Sequence, residues 1–149
     1  MTLSEEGLSF IKEREGLRLV SYQDVAGIWT IGYGSVTDVE PGEKITEVEA
    51  GERLKEDVRH AENCVNQLIT VPLTQREFDC LCSFVFNVGC FAFSKSSLLR
   101  KLLDGDYDSV PTELARWDKV TDPNTKQKIV SAGLAKRRKL EGDLWENVS

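Results

Sequence analysis

The chain has no long apolar run, no excess of basic residues and a single histidine. Its 149 residues are 40% hydrophobic, but the apolar positions recur periodically and never form the run of about 20 that a membrane span needs. The net charge of −6 argues against a nucleic-acid partner, because phosphate binding relies on a basic surface. The length suits one well-buried domain. We therefore expect a single domain without stable membrane insertion.

The N-terminus also lacks the basic and apolar regions of a signal peptide, since it reads Met1-Thr2-Leu3-Ser4-Glu5-Glu6. If the sequence is complete, we expect that the protein is not exported by the usual route.

Four cysteines, Cys64, Cys80, Cys82 and Cys90, raise the question of metal binding. Cys80 and Cys82 lie two positions apart in a helical pattern, so their side chains diverge and cannot hold one metal together. His60 and Cys64 are one turn apart but have no second ligand pair, so we predict no metal site. In a reducing cytoplasm all four would remain thiols, with Cys82 in the core. The alternative is a disulfide formed after release into an oxidising compartment.

The first half of the chain changes from helix to strand and back to helix. Ser4 is a suitable N-cap before an acidic first turn, and the first helix should end near Gly16. Two or three short strands are predicted between about residues 17 and 39. Thr46 and Glu49 have capping-box spacing and open a long helix. Its core positions are Leu54, Val58, Ala61, Val65 and Leu68.

The second half predicts helices only. Thr74 and Glu77 form a second capping-box pattern, and Gly89 should end that helix. Three further helices are predicted, from Leu98 to Gly105, from Thr112 to Trp117 and from Ser131 to Trp145. Together these patterns predict an α+β fold.

Two carboxylates near the N-terminus have contrasting settings. Leu8, Ile11 and Glu15 share one helical face, so Glu15 projects from an apolar stripe. Partial desolvation favours a protonated carboxyl group, which a general acid needs. Asp24 lies in a turn, where it can stay solvated and ionised. Carboxylates held in opposite protonation states are the expected pair for cleaving a glycosidic bond.

Thr30 adds a hydroxyl group on the strand that follows this turn. Alternation places Thr30 and Gly32 on one face, where little side-chain volume would leave space for a sugar ring and a water molecule. The structural alternative is that Gly32 and Gly34 mark a bulge or bend, while Glu15 merely pairs with a neighbouring arginine.

The spacing of these three residues resembles a known signature. Eight residues separate Glu15 from Asp24, five separate Asp24 from Thr30, and Ile31-Gly32-Tyr33-Gly34 follows; this is similar to the catalytic motif of phage lysozymes, the endolysins of glycoside hydrolase family 24. Five more segments match the family in order: 46–50, 72–75, 86–89, 97–99 and 133–138. The resemblance implies a lysozyme-like fold. Its small lobe with a β-hairpin would span about residues 12–60, and a long helix would lead to a mainly helical lobe of about residues 65–149 that includes the N-terminal helix.

The same resemblance implies hydrolysis of the β-1,4 bond between N-acetylmuramic acid and N-acetylglucosamine in peptidoglycan. Glu15 would protonate the leaving oxygen, while Asp24 and Thr30 would activate water. The family inverts configuration, which requires carboxylates about 6.5–9.5 Å apart. No metal or cofactor is implied. The substrate-contact candidates by family position are Val36, Phe86, Asn87 and Ser97.

Several positions depart from the family pattern. Ser35 stands where many relatives have histidine, Phe91 replaces a glycine, and the Asp118–Ser131 segment lacks the expected glycine. These changes affect the expected cleft wall rather than the reaction. A basic run, Lys136-Arg137-Arg138-Lys139, is interpreted as a solvated helix face, with an envelope-binding patch as the alternative.

Two other functions remain as alternatives. A lytic transglycosylase cleaves the same bond without water, but it needs no residue in the role of Asp24. A non-catalytic wall-binding module is disfavoured because all three site residues are present. The setting implied by the resemblance is a monomer that accumulates in the host cytoplasm and reaches the wall after a holin, which it need not bind, breaches the membrane. Some relatives begin with a signal-anchor, which would alter that route.

Overall fold

The computed structural model describes residues 1–147 of the chain. Within this range it has seven helices and four short strands. The helices are α1 (Glu5–Glu15), α2 (Glu47–Leu68), α3 (Gln75–Val88), α4 (Cys90–Ser94), α5 (Ser97–Leu103), α6 (Val110–Ala115) and α7 (Ala132–Glu146). The strands are β1 (Arg18–Gln23), β2 (Trp29–Gly32), β3 (Lys119–Thr121) and β4 (Lys128–Val130).

The chain divides into two compact units. One comprises Glu5–His60, and the other comprises Met1–Ser4 together with the chain from Ala61 onward, so the division falls inside α2. The Glu5–His60 unit contains α1, β1 and β2. Within that unit, the Lys12 ammonium of α1 lies 5.5 Å from the centre of the Tyr33 ring.

An antiparallel hairpin of β1 and β2 forms the sheet of the Glu5–His60 unit. Thr30 pairs with Tyr22, and Gly32 pairs with Arg18, with a register shift between these two pairs. This irregularity in the register agrees with the alternative of a bulge or bend at Gly32, which has φ +68°. Two strands form here, the smaller of the two predicted numbers.

The two capping boxes predicted from sequence are both present. The Thr46 N–H donates to Glu49 at 3.0 Å and the Glu49 N–H donates back to the Thr46 hydroxyl oxygen at 3.1 Å. Thr74 and Glu77 make the same reciprocal pair before α3, which ends at Gly89 with φ +93°. These local bonds satisfy N–H groups that an uncapped helix would leave without partners, which is why the sequence marks the helix starts so clearly.

The core of the helical unit is built around α3. Its buried side chains Phe78, Leu81, Phe84 and Val85 pack with Leu98, Leu102 and Leu114. Phe84 also meets the Trp117 ring edge to face at 5.4 Å between centroids. Trp145 of α7 is buried, whereas Leu134 and Leu144 are only partly buried.

The four cysteines divide into a bridge and two thiols. Cys64 of α2 and Cys90 of α4 form a disulfide, which corresponds to the oxidised alternative. Cys80 and Cys82 are free and buried, so Cys82 is the core residue that was expected. Burial raises the pKa of both thiols, with that of Cys80 raised further by nearby Glu141.

The sequence did not predict α4 or the hairpin of β3 and β4. β3 and β4 form a hairpin in the Asp118–Ser131 segment, with Lys119 opposite Val130 and Thr121 opposite Lys128. Between residues 1 and 147, no helix has the length and apolarity to span a membrane.

Candidate active site

Glu15 is the last residue of α1, directly before Gly16. It is half-buried, and Ile11, one turn earlier on the same face, is fully buried. The stripe predicted from sequence is therefore present. Gly34 approaches the carboxylate from the loop after β2, since a Cβ added there would lie 3.7 Å from Glu15 Oε1. With φ +92°, Gly34 also has a conformation that other residues rarely adopt. Residue 34 therefore places backbone, and no side chain, beside this oxygen of Glu15.

Asp24 organises the turn between β1 and β2. Its Oδ1 accepts the N–H groups of Ala26 at 2.8 Å and Ile28 at 2.9 Å. Its own N–H donates to the Ile28 carbonyl oxygen at 2.9 Å. This is an Asx-type turn, in which the side chain fixes the backbone. The carboxylate is therefore held in one orientation by the peptide it belongs to.

Thr30 lies on β2 and is buried, with 4% of its surface exposed. Its hydroxyl donates to the Ile28 carbonyl oxygen at 3.0 Å. The open face expected from the neighbouring glycine is thus much narrower than the sequence indicated. A hydroxyl that donates its only proton still has lone pairs, so the Thr30 oxygen can accept a hydrogen bond from water.

A second contact holds the loop that carries Gly34. Ile31 and Ser35 exchange backbone hydrogen bonds of 2.9 Å in both directions, which closes the loop into a tight bridge. The buried Ser35 hydroxyl then donates to Asp57 Oδ2 on α2 at 2.6 Å. Sequence reasoning noted Ser35 only as a departure and missed Asp57. No local signal identifies a partner 22 residues away.

Val36, the substrate-contact candidate of the Glu5–His60 unit, follows this loop directly. Its side chain is 53% exposed, as a contact residue requires.

The three other candidates lie in the helical unit and differ in accessibility. Phe86 is partly buried and packs against the core. Asn87 is exposed, and its Oδ1 accepts a hydrogen bond from Arg138 at 2.7 Å. The Ser97 hydroxyl donates to Glu113 and accepts from Arg116 at 3.2 Å. Asn87 therefore has the most accessible side chain of these three.

The basic run at 136–139 is not a surface patch. Arg138 is 1% exposed and Arg137 is also buried. Arg138 Nε lies 2.8 Å from Glu141 Oε1 as an ion pair, although its angle is outside that of a hydrogen bond. The face of the Arg138 guanidinium lies over the Phe84 ring at 4.9 Å. The predicted solvated face and the envelope-binding alternative are both wrong for these two arginines.

Glu141 is the centre of this buried charge network. It accepts a hydrogen bond from the Ser83 hydroxyl at 2.6 Å and one from Arg137 Nε at 3.3 Å. Burial raises the pKa of Glu141 and lowers that of Arg138, while the attraction between the two groups opposes both shifts. The network joins α7 to α3 through charged hydrogen bonds.

Comparison with known proteins connects these features to a family. The phage lysozyme family model matches residues 12–141. The endolysin of Acyrthosiphon pisum secondary endosymbiont phage 1 is 43% identical over 147 residues, which cover 99% of each chain.

Two solved structures share the fold. The muramidase domain of SpmX from Asticaccaulis excentricus has a TM-score of 0.91 at 35% identity and covers 97% of each chain. The endolysin of Escherichia coli O157:H7 phage FAHEc1 also has a TM-score of 0.91, at 40% identity, and the match covers 97% of this chain and 93% of that one. The lysozyme-like α+β fold is thereby confirmed. This chain belongs to the phage lysozyme family.

Proposed function

We propose that this phage lysozyme, a peptidoglycan-hydrolysing endolysin, cleaves the β-1,4 bond between N-acetylmuramic acid and N-acetylglucosamine with inversion of configuration. The observation that carries the proposal is the half-buried Glu15 with the Gly34 backbone beside it. A half-buried carboxyl group beside a glycine, which has no side chain to cover it, suits proton donation to a bound sugar.

Each residue has one task in the proposed reaction. Glu15 gives its proton to the leaving glycosidic oxygen as the bond from that oxygen to the anomeric carbon breaks. Asp24 takes a proton from the water that attacks the anomeric carbon, and the two backbone N–H groups on its Oδ1 fix its direction. The Thr30 oxygen orients the water as a hydrogen-bond acceptor. No cofactor enters this scheme.

Four residues are proposed to contact the substrate. We propose that Val36 and Asn87, which are exposed, touch the glycan directly. Phe86 would supply an apolar wall, and Ser97 would act through the hydroxyl that it shares with Glu113 and Arg116.

The test is turnover of purified peptidoglycan by Glu15→Gln, with Glu13→Gln as the matched control. Both residues lie on α1, and Glu13 is exposed and paired with Arg14. We expect Glu15→Gln to lose at least about a thousandfold in kcat, because the amide cannot donate the proton, while Glu13→Gln keeps wild-type activity. Circular dichroism should show both variants folded. Full activity of Glu15→Gln would overturn the assignment.

Product analysis separates the two alternatives. Mass spectrometry of the released sugars should show reducing ends that carry one added water. An anhydro-sugar product would identify a lytic transglycosylase instead. Binding without turnover by the wild-type protein would identify a non-catalytic module.

The biological role that follows is host cell lysis. We propose that the protein accumulates as a monomer in the host cytoplasm. It would reach the cell wall once a holin breaches the membrane, without a direct contact between the two proteins.

A further inference from the structure

β1 is not paired with β2 along its whole length. Three residues of β1 lie between its paired positions Arg18 and Tyr22, whereas only Ile31 lies between the partners of these two on β2. Ile31 exchanges its backbone hydrogen bonds with Ser35 instead. This part of β1 therefore lacks the regular ladder that would fix its direction. The direction matters, because β1 ends one residue before Asp24.

A segment that follows the hairpin supports β1 at this point. The Ser21 N–H donates to the Glu43 carbonyl oxygen at 2.9 Å. Val20 forms an antiparallel bridge with Lys44. These contacts replace the pairing that β2 does not make here, so residues 43–44 act as the neighbouring strand for this part of β1.

The Ser21 side chain joins β1 to a turn as well. Its hydroxyl donates to the Glu40 carbonyl oxygen at 2.7 Å and accepts the Glu43 N–H at 3.1 Å. The same two backbone groups close the turn between Glu40 and Glu43, at 3.2 Å. Ser21 is 8% exposed, although the three residues before it on β1 are all exposed. A buried hydroxyl that donates to and accepts from one turn holds the strand and the turn in one relative position.

A charged pair anchors this turn to α2. Glu43 Oε2 accepts a hydrogen bond from Arg53 Nη2 at 2.5 Å, while Glu43 Oε1 accepts the Glu40 N–H at 3.1 Å. The Arg53 and Glu43 side chains are only 28% and 25% exposed, and a hydrogen bond between charged groups is stronger than a neutral one. Hydrogen bonds therefore run from Arg53 on α2 through Glu43 to Ser21 on β1.

The same helix supports the other side of the candidate site. Asp57 lies one helical turn after Arg53. It accepts the hydrogen bond of Ser35, whose loop lies beside Glu15. Arg53, Asp57 and Ser35 line one pocket of about 310 Å³, so these contacts share one face of α2. That face is connected both to the loop beside the general acid and to the strand that leads to Asp24.

We propose that Ser21 is a positioning residue for hydrolysis of the glycosidic bond. This inference rests on the proposed function, because Ser21 acts through the water-activating groups of that reaction. Its hydroxyl fixes β1 against the turn that α2 anchors. It thereby sets the separation between Asp24 and Glu15, which must leave room for a water molecule in an inverting enzyme. Tyr22, the next residue, pairs with Thr30, so the same bond controls the position of the Thr30 hydroxyl.

Ser21→Ala tests the proposal in steady-state kinetics on soluble glycan strands. The variant loses the hydroxyl and keeps the backbone bonds of β1. We expect kcat to fall about tenfold, because a small misplacement of reacting groups has a large kinetic cost, and KM to stay unchanged. Ser21→Thr keeps a hydroxyl and should recover most of the lost kcat. Chemical unfolding at the assay temperature should show both variants fully folded.

Ser9→Ala is the matched control, since Ser9 is an exposed serine of α1 in the same unit. It should keep the kcat and KM of the wild type. Wild-type kcat in Ser21→Ala would overturn the proposal. So would a loss of kcat that Ser21→Thr does not recover, or a change that appears in KM alone.

Arg53→Met tests the same connection from α2, and it remains informative if Ser21→Ala does not fold. It removes the donor to Glu43 while keeping an apolar stem. We expect a comparable fall in kcat. The double variant with Ser21→Ala should be no slower than the slower single variant, because both changes break one series of hydrogen bonds. Additive losses, or wild-type kcat in Arg53→Met, would contradict the proposal.

Failure here is distinguishable from failure of the proposed function. The wild-type protein is assayed separately for turnover of whole peptidoglycan. Turnover with a kcat that neither Ser21→Ala nor Arg53→Met changes contradicts only the positioning role, whereas absence of turnover contradicts the function itself.

Discussion

Glu113 links Ser97, a candidate substrate-contact residue, to the stability of the fold. It is buried and accepts hydrogen bonds from the Ser97 hydroxyl and from Lys101 at 3.1 Å, and Arg116 pairs with it at 3.2 Å. The hydrogen bond from Ser97, followed by the nearby lysine and arginine, holds the pKa of Glu113 below its usual value. The hydroxyl of Ser97 is therefore occupied by a structural partner before any substrate arrives.

Because the pKa of Glu113 is lowered, its contribution to the free energy of unfolding depends on pH in a definite direction. Because the folded pKa lies below the unfolded value of about 4.3, Glu113 contributes stability above that value and loses it as pH falls through the folded pKa. Glu113→Gln should lower the free energy of unfolding by about 1 kcal/mol at neutral pH. The difference in free energy of unfolding between wild type and Glu113→Gln should narrow as the pH falls below about 4. Urea unfolding at a series of pH values measures this, with exposed Glu52→Gln as the control. A difference in free energy of unfolding that does not change with pH would contradict the proposed coupling between protonation of Glu113 and stability.

At the scale of elements, the loop between β2 and α2 carries Gly34, which lies beside Glu15. Gly34 belongs to the short loop closed by the Ile31 and Ser35 backbone bridge. The Ser35 hydroxyl ties that loop to Asp57 of α2. The hydrogen bond therefore acts on Glu15 indirectly, by fixing the backbone that faces the carboxylate.

Loss of that bond should affect catalysis more than folding. Ser35→Ala removes the donor, and we expect kcat on peptidoglycan to fall about tenfold, because small displacements of reacting groups have large kinetic effects. Asp57→Asn keeps an acceptor oxygen and should retain most of the activity. Kinetics on purified peptidoglycan, with thermal unfolding measured in parallel, tests the idea. Wild-type kcat in Ser35→Ala would show that the loop keeps its position without the bond.

Some elements could be predicted from short sequence patterns, whereas others have no such pattern. The starts of α2 and α3 were predicted because each capping box lies within four residues. The hairpin of β3 and β4 was missed, because its segment is rich in Lys, Thr and Asp and lacks a clear alternation of apolar residues. The very short α4 was missed for a similar reason, since five residues are too few to show a helical period.

The same distinction applies to the candidate site. Glu15 on an apolar face and Asp24 in a turn were readable from spacing, and the structure has both features. The burial of Thr30 and the Ser35 contact with Asp57 were not readable, because they depend on partners distant in sequence or on the close packing of the hairpin. Arg138 likewise looked like surface charge, since its burial requires Glu141 and Phe84 together.

At the scale of the whole molecule, a buried charge network joins Arg137, Arg138 and Glu141. Three charges lie in the interior between α3 and α7, where Glu141 pairs with both arginines. Removing one member of a buried ion pair leaves an uncompensated buried charge. The resulting loss of stability is much larger than the net stabilisation that the intact pair provides.

Glu141→Gln should therefore lower the free energy of unfolding by about 3–5 kcal/mol. Glu146→Gln is the control, because it lies on the same helix and is exposed. Urea unfolding followed by circular dichroism measures both variants. Equal stability of the two would show that the arginines are solvated or compensated by groups other than Glu141.

The central claim is that water attacks the anomeric carbon while Glu15 protonates the leaving oxygen. NMR of the first reducing ends released from purified peptidoglycan tests it most directly, if recorded before mutarotation. Inversion of a β-1,4 bond predicts muramic acid ends in the α configuration. Ends in the β configuration would contradict the account, because they would require retention through a second displacement.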